Sequence, residues 1–142
     1  YGPRMDPAGY GSVIARFISQ ARAGLPLTVH GDGRQSRCFT FVAEAVTATI
    51  LAGTEPAALG EAINVGGRAE TTIGDLAHEV LAATGRDGTV VQGPYEAALG
   101  PSLGDTPRRV HDGARARGGL GWEALVPLRE GLAATLAAEG DS

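Results

Sequence analysis

The sequence predicts a mixed α/β fold in which short strands alternate with about five helices. Apolar residues recur at helical spacing in several stretches, and short β-rich runs lie between those stretches. The predicted strands are too few for a complete parallel sheet, and several helices lack a surface to cover. The whole chain, residues 1–142, is therefore expected to be one domain that forms half of a larger α/β unit.

The first half of the chain begins with a glycine- and proline-rich loop over residues 1–12. Ser12 is expected to cap a helix that ends near Gly24, with Pro26 beyond it. The apolar face of that helix consists of Val13, Ile14, Phe17, Ile18 and Ala21. The next predicted elements are a strand over 27–29, a glycine turn over 31–33, a second strand over 39–42 and a helix over 42–51.

The second half is expected to continue this alternation. Thr72 is predicted to cap a helix over 73–84, with Asp75 at the capping-box position, and Asp112 to cap a short helix that stops at Gly118. The other predicted elements are strands over 62–65 and 89–91, an extended segment over 108–110 and a last helix over 127–136. The predicted core includes Phe39, Phe41, Val42, Ile63, Val65 and Trp122.

Composition excludes several classes of function. The formal net charge is −4 at pH 7, so nucleic acid is not an expected partner. No apolar run approaches the roughly 20 residues that span a bilayer, so no membrane partner is expected. The single cysteine, Cys38, excludes an internal disulfide, and no histidine has a second ligand at metal spacing. A cytoplasmic protein without a metal is expected.

Lysine does not occur in the sequence, so every permanently cationic side chain belongs to arginine. Neither a Tyr-x-x-x-Lys pair nor a P-loop lysine can therefore exist in this chain. The chain begins at Tyr1 rather than at a methionine, and we expect it to be a piece of a longer protein.

The most informative stretch runs over residues 26–42, PLTVHGDGRQSRCFTFV. Glycines at 31 and 33 let the backbone approach a ligand closely, and Arg37 offers a planar fork of donors for phosphate or carboxylate oxygens. The alternative is that Arg37 forms an ordinary surface ion pair. His30 has two similar options, because it either stacks on a ligand or is an exposed turn residue.

A second basic stretch, RRVHDGARARGGLGW, begins at Arg108. Arg109 is the main candidate for a ligand contact here. Adjacent residues on a strand point to opposite faces, so Arg108 is the alternative. Tyr95, Glu96, Gly100 and Asp105 belong to an irregular segment, for which a surface loop is the simpler interpretation.

Three motifs together resemble the extended short-chain dehydrogenase/reductases that act on nucleotide sugars. They are YGPRM at the start, the stretch over 26–42, and RRVHD followed by LGW, and they occur in the family's order. The NVGG segment and the TTIGDL helix start are also placed as in that family. His111 departs from the pattern, because the family usually has proline before the aspartate. The resemblance leans towards UDP-glucuronate decarboxylases.

The resemblance implies the C-terminal, substrate-binding part of a Rossmann-type enzyme. It implies that Arg37 and Arg109 contact a diphosphate from opposite sides of a cleft, with Arg109 also assisting the reaction. The turn residues Val29, His30 and Gly31 would contact the nucleotide, and Tyr1 and Arg4 would line the cleft. The implied ligand is a UDP- or dTDP-linked sugar.

The same resemblance implies an NAD cofactor held mainly by an N-terminal Rossmann half, a homodimer when full length, and an inactive isolated chain. No GxGxxG or GxxGxxG motif occurs here. In the intact decarboxylase the sugar would be oxidised at C4, lose its C5 carboxylate as CO₂ and be reduced again. The alternatives are a 4-epimerase, a 4,6-dehydratase, a non-catalytic nucleotide-sugar-binding module, and a structural domain whose arginines only pair with carboxylates.

Overall fold

The computed structural model describes residues 1–9, 13–94 and 106–140. Within these ranges it contains five α-helices, five short strands and one 3-10 turn at Pro56–Ala58. The helices are α1 (Val13–Arg22), α2 (Val42–Thr54), α3 (Ile73–Thr84), α4 (Ala114–Leu120) and α5 (Leu128–Gly140). The strands are β1 (Leu27–His30), β2 (Ser36–Cys38), β3 (Glu70–Thr72), β4 (Val90–Gly93) and β5 (Arg108–Arg109).

A two-stranded parallel sheet, β1 with β4, lies against the main core. Leu27 is fully buried and Val29 is 2% exposed, because alternate side chains of β1 point inward. The rest of this core comes from α1, α3 and α5, and it contains Ile14, Phe17, Ile18, Ala21, Ile73, Leu76, Ala77, Val80 and Leu132. Burial of these apolar side chains is the main force that holds this part of the chain together.

A second sheet has the order β3-β2-β5. Its central strand, β2, pairs antiparallel with β3 and parallel with β5. Both edge strands are short, and β5 is exposed while two of the three residues of β3 are half-buried. The position of this sheet determines where the arginines of the candidate site lie.

The start of α3 joins the two sheets. The Thr72 hydroxyl accepts a hydrogen bond from the Asp75 amide at 3.0 Å and donates one to the Asp75 carboxylate at 2.6 Å. The first two amides of α3, which have no acceptor within the helix, also have partners. Ile73 N–H donates to the Gln35 carbonyl, and Gly74 N–H donates to the Gly33 carbonyl. The first turn of α3 therefore fixes the turn between β1 and β2.

A smaller core packs α2 against α4 and the 3-10 turn, with Ala48, Ala58, Ala116, Leu120 and Trp122 buried. The Glu44 carboxylate on α2 accepts hydrogen bonds from the amides of Leu125 and Val126, so it holds the segment that precedes α5.

Most predicted helices agree with the structure to within a few residues, and α3 has the predicted bounds. The prediction of a strand over 39–42 is wrong, because β2 lies upstream at Ser36–Cys38, where β3 and β5 supply its hydrogen-bonding partners. The prediction for 62–65 is also wrong, since the structure forms no strand between the 3-10 turn at Pro56–Ala58 and β3 at Glu70–Thr72. The short helix continues past Gly118 to Leu120 and ends at Gly121, whose φ is 61°.

Two of the predicted core residues are exposed. Val42 is 42% exposed and Val65 is 37% exposed. Val42 belongs to an apolar stripe on α2 with Val46 and Ile50, which are 52% and 60% exposed and lie at four-residue intervals on one helix face. Among the described helices, none is long and apolar enough to cross a membrane.

Candidate functional site: paired arginines on the second sheet

Arg37 and Arg109 lie side by side on neighbouring strands of the second sheet. Their Cα atoms are register partners in the parallel β2–β5 pair, so both side chains leave the same face. Arg37 is half-buried and Arg109 is exposed. This placement corrects the expectation of two arginines on opposite sides of a cleft, although it does bring them together across more than seventy residues of sequence.

The pairing is electrostatically unusual, because like charges directly opposite each other destabilise a sheet. Arg37 Nη1 donates to the carbonyl of Ser36 at 2.6 Å. Among the described residues, none forms an ion pair with Arg109. Several other arginines do meet carboxylates, such as Arg68 with Glu123 and Arg115 with Glu61. An anion beside the arginine row, Arg37 and Arg109, would therefore meet at Arg109 a guanidinium that no described carboxylate engages.

The opposite face of the same sheet carries a closed polar cluster. Arg108 Nε lies 2.9 and 3.0 Å from the two carboxylate oxygens of Glu70, and its Nη2 lies 2.8 Å from Oε2. The Ser36 hydroxyl also donates to Glu70. The hydrogen bond from Arg108, followed by that from Ser36, lowers the pKa of Glu70. Arg108 is thus engaged on the face away from Arg109.

Cys38 lies beside this cluster. Burial, followed by the charge of Glu70, raises the pKa of the Cys38 thiol, so the thiol form is favoured near neutral pH. The charge of Arg108 acts to lower the pKa of Cys38, but burial and Glu70 outweigh it, so the thiol is not activated as a nucleophile.

The turn between β1 and β2 has a well-defined backbone. Gly31 and Gly33 both adopt left-handed φ, at 79° and 76°. Gly31 N–H donates to Gly93 at the end of β4, and the Arg34 amide donates to the Asp32 carboxylate. The Gln35 side chain, only 7% exposed, donates to the His30 carbonyl at 2.9 Å. These contacts make the turn a rigid connection between the core and the arginine row.

His30 and Val29 occupy the end of β1. His30 Nδ1 lies 3.1 Å from the carbonyl of Pro94, so that nitrogen carries a proton, and Nε2 accepts from Arg16 at 3.4 Å. The imidazole is held at the strand end by both of its nitrogens. The Val29 side chain is buried in the core, so only its backbone could touch a ligand.

Tyr1 and Arg4 lie near the other end of the 36–42 segment. The Tyr1 hydroxyl donates to the carbonyl of Leu128 at 3.2 Å, and its ring packs edge-on against Phe41 with centroids 5.8 Å apart. Burial, together with the charge of Glu44, raises the pKa of Tyr1 to about 12. Tyr1 is built into the packing, whereas Arg4 is exposed and has a left-handed φ of 68°.

Some predicted residues lie outside the described part of the chain. They are the cap at Ser12 and the loop residues Tyr95, Glu96, Gly100 and Asp105. Among the residues that the structure does describe, no group of three or more His, Cys, Asp or Glu side chains could hold a metal ion.

Glu70, Ser36 and Gln35 are neighbours of the site that the sequence reasoning missed. The partner of Glu70, Arg108, is 38 residues away, and no sequence pattern links the two.

With this geometry established, the chain can be compared with known proteins. Residues 1–66 match the family model described as the NAD dependent epimerase/dehydratase family. UDP-N-acetyl-alpha-D-glucosaminuronate decarboxylase of Bacillus cytotoxicus is 36% identical over 136 residues, which are 96% of this chain and 42% of that protein. The chain is therefore similar to members of the NAD dependent epimerase/dehydratase family, and its first 66 residues match the model of that family.

UDP-glucose 4-epimerase of Mycolicibacterium smegmatis is 39% identical over 137 residues, which cover 96% of this chain and 41% of that protein. The crystal structure of UDP-glucose 4-epimerase from Thermotoga maritima with UDP-glucose superposes with a TM-score of 0.86 at 32% identity, covering 99% of this chain and 43% of that one. The chain therefore spans about two-fifths of the length of these relatives. The predicted resemblance to this family and the predicted fold, a mixed α/β part of a short-chain dehydrogenase/reductase, are confirmed.

Proposed function

We propose that this chain is the nucleotide-sugar-binding part of an NAD-dependent enzyme of this family. The observation that carries the proposal is the in-register pair Arg37 and Arg109 on one face of the second sheet. A diphosphate bears two or more negative charges and presents oxygens on both phosphates. Two guanidinium groups side by side match that ligand in charge and in donor geometry.

The structure and the relatives support this choice of ligand in different ways. The turn over 31–35 is anchored to α3 and to β4, so its backbone is preorganised beside the arginine row. The relatives reported above are named for UDP-linked sugars. We propose that Gly31, His30 and the backbone of Val29 meet the nucleoside, and that Arg4 and Tyr1 lie at the sugar end.

For the reaction, our first proposal is a UDP-glucuronate decarboxylase. Arg109 would assist by stabilising negative charge that develops on the substrate. The alternatives are a 4-epimerase or a 4,6-dehydratase, and the relatives include both a decarboxylase and an epimerase. The residues that separate these reactions are expected in the part of the enzyme that this chain does not include.

This chain alone lacks the sequence motifs that are expected to bind NAD. NAD supplies hydride transfer when it is bound, but no glycine-rich pyrophosphate turn and no lysine for a Tyr-x-x-x-Lys pair occur in the sequence. We therefore propose that an N-terminal Rossmann half holds NAD, that the full-length enzyme is a homodimer, and that the isolated chain binds ligand without turnover. The exposed apolar stripe on α2 supports the presence of such a covering half.

A non-catalytic binding module is the second candidate, and the sequence upstream of this chain separates the two candidates. Supplying the isolated chain with NAD and UDP-glucuronate should release no CO₂ under either candidate. A longer chain that contains an upstream Gly-rich turn and a Tyr-x-x-x-Lys pair should release CO₂ only if the enzyme proposal holds.

Calorimetric titration with UDP tests the binding proposal. Arg109→Ala should weaken UDP binding by about 10- to 100-fold, because a charge-assisted bond to a phosphate contributes roughly 1.5–3 kcal/mol. Arg129→Ala is the matched control, since Arg129 is exposed and pairs with Glu79 at 3.5 Å, away from the second sheet's arginine pair. Equal UDP affinity in the Arg109→Ala and Arg129→Ala variants, with both folded by circular dichroism, would refute the diphosphate role.

A further inference from the structure

The strand that carries Arg109 is short, and we expect its position to depend on contacts beyond its own backbone hydrogen bonds with β2. β5 contains only Arg108 and Arg109, and the residues directly before 106 lie outside the described ranges. Its backbone contacts include the parallel pairing with β2 and the bond from Ser36 N–H to the Pro107 carbonyl at 2.9 Å. A two-residue ladder at a sheet edge is weakly held, because each ladder bond contributes little on its own.

The ion pair between Arg108 and Glu70 is such a contact. Glu70 lies on β3 and Arg108 on β5, so the ion pair reaches across the central strand and joins the two edges of the sheet. The Ser36 hydroxyl on β2 bonds to the same carboxylate, so all three strands contribute to one contact. Three nitrogen–oxygen distances of 3.0 Å or less show that the guanidinium binds both carboxylate oxygens.

In the observed register the Arg108 side chain lies on the face of the sheet that carries Ser36 and Glu70, and Arg109 lies on the face that carries Arg37. The ion pair with Glu70 attaches Arg108, and with it the short strand β5, to the far edge of the sheet. Because adjacent residues of a strand point to opposite faces, holding Arg108 in this position keeps Arg109 beside Arg37.

We propose that Glu70 is a positioning residue for the ligand site, which by binding Arg108 holds β5 so that Arg109 stands in register with Arg37. The proposal rests on the proposed function, because it assumes that the two arginines bind a diphosphate. Glu70 itself does not touch the ligand, since its carboxylate lies on the opposite face of the sheet from Arg37 and Arg109.

The test compares UDP with uridine as titrants of the 142-residue chain. Glu70→Gln should weaken UDP binding about three- to fivefold, the range that an exposed charge pair supports, and should leave uridine binding unchanged. The matched control is Glu61→Gln, because Glu61 pairs with Arg115 at 2.9 Å on another surface. That control should bind both titrants as the parent chain does.

Exchanging the charges of Glu70 and Arg108 should restore UDP binding. In the double variant Glu70→Arg with Arg108→Glu the pair is re-formed with reversed polarity, and UDP affinity should return to within about twofold of the parent chain, while Arg108→Glu alone should not bind as well. Amide hydrogen exchange at Arg109 gives a readout without ligand. It should be faster in Glu70→Gln than in Glu61→Gln.

The outcomes separate the two proposals. If Arg109→Ala leaves UDP binding unchanged, the diphosphate role and the positioning role both fail. If Arg109→Ala weakens UDP binding but Glu70→Gln does not, and Arg109 exchange is also unaffected, only the role of Glu70 is overturned. Equal weakening of UDP and uridine binding in Glu70→Gln would also overturn it, because that result indicates a general loss of structure.

Discussion

The two sheets of this small domain are held together in different ways. The β1–β4 sheet is covered by α1, α3 and α5 and contributes Leu27 and Val29 to a closed apolar core. The β3-β2-β5 sheet buries little and is joined by polar contacts among Ser36, Glu70 and Arg108. Changes in the first sheet should therefore alter folding, whereas changes in the second should alter binding.

The difference reflects what each region must do. Apolar burial gives stability but offers no donors to a ligand, and an exposed cationic row offers donors but is self-repelling. The turn over 31–35 connects the two regions, because its carbonyls accept hydrogen bonds from the first turn of α3. The turn therefore holds β2, and with it Arg37, in a fixed position relative to the apolar core.

Leu76→Ala should have the largest effect of the changes that test this comparison. Leu76 is fully buried between α3 and its neighbours, so its truncation leaves a cavity. We expect a loss of about 2–5 kcal/mol in the free energy of unfolding, measured with urea. A loss below about 1 kcal/mol would show that the core is not the stabilising region.

Thr72→Ala should have an intermediate effect, because it removes the cap that joins β3 to α3. We expect a loss of about 1 kcal/mol of unfolding free energy. Thr84→Ala is the matched control, since the Thr84 hydroxyl bonds to carbonyls within its own helix. If the two variants have the same stability, the cap is not a structural link between the sheets.

Tyr1→Phe should have the smallest effect at neutral pH, about 0.5 kcal/mol, because its bond to Leu128 is long and the ring is half-exposed. The pKa of Tyr1 is raised to about 12 in the folded chain, above the value of roughly 10 for an exposed tyrosine. The protonated form is thus favoured by folding. Its stabilisation is complete below about pH 10 and is lost as pH rises towards about 12.

Unfolding experiments at several alkaline pH values check this assignment. The chain contains no lysine that titrates in the same range. The parent should lose more stability than Tyr1→Phe between about pH 10 and pH 12. Parallel curves for the two chains would contradict the environment assigned to Tyr1.

How much of the structure the sequence predicts depends on whether the signal is local. Helix α3 was predicted with its bounds because Thr72, Asp75 and Gly85 are local start and stop signals. The strand over 39–42 was misplaced because Phe39 and Phe41 have high β-propensity, yet the strands that could pair lie against Ser36–Cys38. Propensity shows that a segment suits a sheet, but pairing is decided by distant residues.

The site follows the same rule. Arg37 and Arg109 were chosen from motifs, and their convergence on one sheet agrees with that choice. The sequence did not predict that they are register partners on one sheet face, because the pairing of β2 with β5 joins segments about seventy residues apart. Glu70 was missed for the same reason, since its pairing with Arg108 depends on that register.

A crystal structure of the chain with UDP is the most direct test of the central proposal. We expect the diphosphate to lie over the face of the second sheet that carries Arg37 and Arg109, within hydrogen-bonding distance of both guanidinium groups, about 2.7–3.2 Å. A diphosphate bound elsewhere, or held by only one of these arginines, would contradict it.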